Sequence, residues 1–345
     1  MSNGTEVEDL MTFSQMNVVS IISLLTSGLS LVGSGSILFC VVYHRRVCSP
    51  EIFPIFHLSV ADGMASLFMM IVSVLFLNTY PSYPGSPGPC GYLIAIMTSL
   101  YICTFFLTLG YALEAFIRLR RRLQAYLSLE GSRTNGVSNY CMYVVYFMSW
   151  LVPLSLGIFL MLVTHFTKVE NNSFTRVLPM ECSLCFPVFS AHQTYCWSQV
   201  EDGTQWLLMY RLIFLIPLLF VFSLNMVLYI CISRDFRQVS MRRGLLSYHQ
   251  RQEEAMLRKK AFMYQTAFIV CWIPTMVLEV ASFFSSYNML NFYALFVLQA
   301  LVGPLQGLLN CIIYGWKRES FRRALSESSH LLSTNRGGAG MSFTL

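Results

Sequence analysis

FPIFHLSVADGMASLFMMIVSVLFL, residues 53–77, decides how this chain folds. The run is 25 residues long and, apart from His57, carries one ionisable side chain, Asp62. About 20 helical residues cross a hydrocarbon core of roughly 30 Å. A helix is the only open-ended structure that satisfies its own backbone hydrogen bonds there. Six further runs of the same kind lie at 18–43, 92–117, 140–166, 206–232, 261–284 and 292–316. The fold class expected is therefore an all-α membrane protein, a seven-transmembrane helix bundle over residues 18–316.

Orientation follows from charge. Twenty of the 23 Lys and Arg fall after the first, third, fifth and seventh runs, as in Arg45 and Arg46, Arg118 to Arg122, Arg234 to Lys260 and Lys317 to Arg336. The positive-inside rule puts these segments in the cytoplasm and the N-terminus outside. The net charge of +6 then reflects topology and contact with an anionic inner leaflet, and calls for no nucleic acid. With 55% hydrophobic and 12% charged residues and a mean hydropathy of +0.56, the composition is far from that of a soluble globule. Residues 1–17 form a short acidic extracellular segment, with helix one as an uncleaved signal anchor. Residues 326–345, rich in Ser, Thr and Gly, read as a disordered cytoplasmic tail open to kinases and to an arrestin-like partner.

Four cysteines, Cys90, Cys182, Cys185 and Cys196, fall on the expected outer, oxidising side. Asn3 and Asn171 head glycosylation sequons on that same side, so two independent signals agree on topology.

Ionisable groups inside a span are costly enough to be functional candidates. Asp62 lies in helix two, Glu114 toward the inner end of helix three, Arg211 near the outer end of helix five and Glu279 in the outer half of helix six. Pro274 follows Trp272 mid-span and kinks its helix by removing a donor and crowding the preceding turn. Glu279 lies seven residues beyond Trp272, on nearly the same face and about 10 Å higher. Arg211, Glu279 and Trp272 are thus the candidate ligand-binding residues, with an internal ion pair or a headgroup contact as the alternative. For Asp62 the choice is between a water-bridged structural carboxylate near Asn310 and a polar or ion-binding cluster that changes with activation.

These residues resemble those of the seven-helix G protein-coupled receptors, over all seven spans. Leu58-Ser59-Val60-Ala61-Asp62 looks like the helix-two motif of the rhodopsin-like branch. Cys271-Trp272-Ile273-Pro274 fits its C-W-x-P, and Asn310-Cys311-Ile312-Ile313-Tyr314 is similar to its N-P-x-x-Y, with cysteine for proline. Trp150-Leu151-Val152-Pro153, Cys196-Trp197 and the segment Leu305 to Asn310 resemble the secretin-like and cyclic-AMP-receptor-like branches, the latter being nearest. The resemblance implies a Cys90–Cys196 disulfide, with Cys182 and Cys185 paired together or unpaired, and an amphipathic eighth helix at 317–325. It also implies a plasma-membrane receptor for an extracellular, small ligand, coupled to a heterotrimeric G protein.

One departure is marked. Glu114-Ala115-Phe116 stands where the family's D/E-R-Y triplet ends helix three, so its arginine is missing. Either coupling is weak or lost, or Glu114 works with a helix-two partner such as His57. The expected switch core is Asp62, Glu114, His57, Trp272, Pro274, Asn310 and Tyr314. Neither cofactor nor enzyme activity is expected, because no H-E-x-x-H, G-x-S-x-G or nucleotide loop occurs. A transporter and a receptor-shaped scaffold without signalling are the alternatives. The absence of internal repeats disfavours the carrier.

Overall fold

The computed structural model describes residues 11–43, 52–79, 90–127, 135–170, 186–187, 203–241, 248–281, 283 and 292–315. The apolar runs become helices α1 (Phe13–Tyr43), α2 (Phe53–Thr79), α3 (Cys90–Leu127), α4 (Asn135–Glu170), α5 (Gly203–Met241), α6 (Tyr248–Ala281) and α7 (Tyr293–Val302). Gln306–Gly315 continues the chain as α8. Six helices are long and apolar enough to cross a membrane, and α7 with α8, bent by 41° at a short break, make the seventh span. The protein is an all-α, multi-pass membrane bundle.

The helices overrun the apolar windows. The α1 helix starts at Phe13 rather than at 18, α5 continues to Met241 and α6 begins at Tyr248. Polar residues there lose nothing by being helical once clear of the hydrocarbon, since the backbone bonds are made either way.

Burial ranks the helices. In α3, 78% of the apolar window is buried, against 28% in α4 and in α5. Accordingly α3 is the axis, touched by α2, α4, α5 and α6, while α1 packs on α2 and α7. The outward faces of α4 and α5 carry exposed Phe147, Phe159, Phe220 and Val227, as lipid contact demands. The central core gathers Met97, Phe105, Phe214, Leu218, Phe268 and Trp272 from α3, α5 and α6.

The α6 helix runs unbroken through Pro274. A bend of 41° lies at Gly303-Pro304, between α7 and α8. Proline has no N–H to return to the carbonyl four residues back, here Ala300. Thr26 of α1 answers that loss: its Oγ1 lies 2.8 Å from Ala300 O, sharing its proton with the Ile22 carbonyl at 2.9 Å. Beyond the break, Gly307 N–H donates to Ser30 Oγ at 3.1 Å. Close approach makes this stitching geometrically available. A Cβ on Gly33 would sit 2.6 Å from Leu308 Cα, and one on Gly307 would sit 2.2 Å from Ser34 Oγ.

Candidate functional site

Trp272 is the centre of the bundle. Its side chain is 0% exposed and is enclosed by Tyr101 and Phe105 of α3 and Phe214 of α5, with ring centroids 5.2, 4.5 and 6.3 Å away. A buried indole N–H must find an acceptor, and Nε1 donates to Gln306 Oε1 at 2.6 Å. Gln306 Nε2 in turn points at Thr108 Oγ1, 3.5 Å away. A polar link therefore joins α6, the first residue of α8 and α3 in an otherwise apolar core. Pro274 is buried two residues further on.

One level along, Asn310 Nδ2 donates to Asp62 Oδ2 at 2.7 Å, and both residues are buried. This ties α2 to α8. Tyr314, a turn beyond Asn310, packs half-buried against Ile37, Val41 and Ile55. The column Trp272–Gln306, then Asp62–Asn310, thus anchors α8 from two sides.

Toward the Phe13 end, Glu279 is 0% exposed and Arg211 5% exposed, and the Arg211 guanidinium lies over the Phe283 ring at 5.5 Å. Glu279 shares the inward face of α6 with Trp272, because Phe268, Cys271, Trp272, Thr275, Leu278 and Glu279 are all buried. Ionisable groups this deep need partners or a ligand to offset desolvation.

At the opposite, basic end, Glu114 accepts from the Tyr146 hydroxyl of α4 at 2.6 Å and from Arg118 Nη2 on its own helix. His57 lies elsewhere: its Nδ1 accepts from Trp150 Nε1 at 3.2 Å, and it sits among Phe53, Phe56, Tyr146 and Trp150. The Tyr146 ring stacks on His57, with centroids 6.0 Å apart, and its hydroxyl reaches Glu114. Glu114 and His57 are therefore connected through Tyr146 rather than by a hydrogen bond of their own.

Cys90 heads α3, but Cys196, Cys182, Cys185, Asn3, Asn171, segment 317–325 and the tail lie outside the described residues. Sequence reasoning passed over Tyr146, Gln306 and Pro304. The first two are uncharged, so a search for intramembrane charge does not find them. The Gly303-Pro304 pair was a legible signal of a broken helix.

Among relatives, the cyclic AMP receptor-like protein C of Dictyostelium discoideum is 25% identical over 289 residues, covering 81% of this chain and 67% of that protein. The cyclic AMP receptor-like protein A of the same organism is 27% identical over 184 residues, covering 50% of this chain and 45% of that protein. The family described as transmembrane protein 116 matches residues 16–335. That match covers α2 to α8 and all but the first three residues of α1, and the chain belongs to the transmembrane protein 116 family.

Proposed function

We propose that this protein is a G protein-coupled receptor-like signalling protein of the plasma membrane, with its N-terminus outside and its basic end in the cytoplasm. An extracellular small ligand binds in the outer half of the bundle, at Arg211, Glu279 and the Trp272 cage. The likeness to proteins named cyclic AMP receptor-like supports the receptor class. The observation that carries the reading is the Trp272–Gln306–Thr108 link, because it puts a polar, rearrangeable joint between three helices where an apolar core would be stiffer.

The mechanism is a shift between two helix arrangements. A ligand that binds one arrangement more tightly populates it, and a cytoplasmic G protein that prefers the same arrangement is coupled to the ligand in return. Trp272 and Pro274 carry the movement of α6. Gln306 transmits it to α8, where Asn310 and Asp62 complete the column. At the inner end Glu114, held by Tyr146 and Arg118, takes the place of the missing D/E-R-Y arginine as the restraint on α3. The tail supplies phosphorylation sites for an arrestin.

Recording cAMP, calcium and arrestin recruitment in cells that express wild type, Trp272→Ala, Gln306→Leu and Glu114→Gln tests this reading. Basal or ligand-driven output that changes in the variants at equal surface expression is the expected result. Silence in all channels with wild type would favour a scaffold without signalling. Solute flux accompanied by that silence would favour a carrier.

A further inference from the structure

A cleft of about 260 Å³ opens at the basic end between α2, α3 and α4, lined by Phe53, Glu114, Ile117, Arg118, Arg121, Met142, Tyr143 and Tyr146. We propose that it is a binding site for a phosphate-bearing anion, with Arg121 as the principal ligand and Arg118 beside it. This site is distinct from the Trp272 column, shares Glu114, Arg118 and Tyr146 with the inner restraint on α3, and does not require that the protein signal.

Depth is the first argument. The apolar window of α2 begins at Phe53, that of α3 ends at Arg118 and that of α4 begins at Cys141. Every lining residue therefore lies within five positions of a window edge. Three helices place the cleft at the hydrocarbon–water boundary, the level at which lipid phosphates sit.

Charge is the second. Arg118 gives Nη2 to Glu114, and the Glu114 carboxylate also accepts from Tyr146, so the acid is engaged twice. Arg121, one turn further along α3, makes no ion pair with a carboxylate among the described residues. Among the described lining residues, two guanidiniums stand against one carboxylate. A guanidinium presents paired donors that fit a phosphate's oxygens, which a lone lysine does less well.

Shape is the third. Binding sites for whole small ligands run to about 300–1,000 Å³, so this cleft suits a headgroup rather than a larger molecule. Beside it the exposed α4 residues Tyr143, Val144, Phe147 and Met148 form an apolar strip facing the membrane. An acyl chain can lie along that strip while its phosphate enters the cleft, and a soluble phosphate ester can fill the polar part alone.

The test uses full-length protein in phosphatidylcholine vesicles doped with spin-labelled phosphatidylglycerol, measuring the fraction of probe held at the protein. Wild type, Arg121→Gln, Arg121→Lys and the distant control Arg234→Gln are compared, with glycerol 3-phosphate as soluble competitor. The expected result is a roughly tenfold loss of retention in Arg121→Gln, partial recovery in Arg121→Lys and no change in Arg234→Gln. Displacement by glycerol 3-phosphate identifies a site that takes free phosphate esters as well, and no displacement identifies one that requires the lipid. Equal retention in wild type and Arg121→Gln, with normal helix content in both, would overturn the proposal. Equal retention of a spin-labelled uncharged diacylglycerol by the wild type would also overturn it.

Discussion

Tyr146 shows how much one hydroxyl does at the basic end. Its O–H reaches Glu114 at 2.6 Å, while its ring packs edge-on against Phe53 and stacks on His57. A hydrogen bond to a charged group contributes about 1.5–3 kcal/mol. The Glu114 side chain is 12% exposed and Arg118 27%, so solvent screens the pair partly and the lower part of that range applies. Tyr146→Phe keeps the ring contacts and removes only the O–H. It should destabilise the purified protein by about 1.5 kcal/mol, whereas Tyr143→Phe, at a side chain 57% exposed, should fall within about 0.5 kcal/mol of wild type. Thermal unfolding in one detergent compares them, and equal midpoints for the two variants would refute the role given to the Glu114–Tyr146 bond. Legibility at this scale divides along charge. A structural carboxylate near Asn310 is one of the two alternatives that the sequence offers for Asp62, and the structure joins the two side chains at 2.7 Å. Tyr146 and Gln306 carry no charge and sit in runs that read as apolar, so only tertiary packing reveals what they bind.

At the scale of elements, the seventh span depends on α1. Pro304 leaves Ala300 O without its helical donor, and Thr26 and Ser30 place hydroxyls on either side of the gap. This accounts for the small and hydroxylated residues Thr26, Ser30, Gly33 and Ser34 in the middle of the buried face of α1, where the seventh span approaches it. Larger side chains would hold α7 and α8 too far away for those bonds. Gly307→Ala puts a methyl 2.2 Å from Ser34 Oγ and 3.1 Å from Ser30 O. The hydroxyl can rotate away, but the backbone oxygen cannot without moving α1. Overpacking of this kind costs about 1–3 kcal/mol. Gly315→Ala meets nothing within 4 Å and serves as the control. Gly307→Ala should therefore lower the yield of folded protein and its unfolding midpoint, and a midpoint matching that of Gly315→Ala would remove the close-packing account. The apolar runs located all seven spans, since length and hydropathy suffice for that. They did not locate the break, because a run that is apolar throughout looks continuous whether or not its backbone is.

For the molecule as a whole, six uninterrupted helices and one bent pair make seven crossings when the pair counts as one span, and the proposed orientation needs that odd number to put the two termini on opposite sides. The proposed orientation rests on the basic residues, whose end of the bundle the positive-inside rule assigns to the cytoplasm. Every functional statement made above, from a ligand at Arg211 and Glu279 to a phosphate at Arg121, inherits that assignment. The direct measurement is epitope accessibility on intact and then permeabilised cells, with one tag before Met1 and another after Leu345. The account predicts that the N-terminal tag is stained on intact cells and the C-terminal tag only after permeabilisation. Staining of both tags on intact cells, or of neither until the membrane is opened, would mean an even number of crossings and would contradict it.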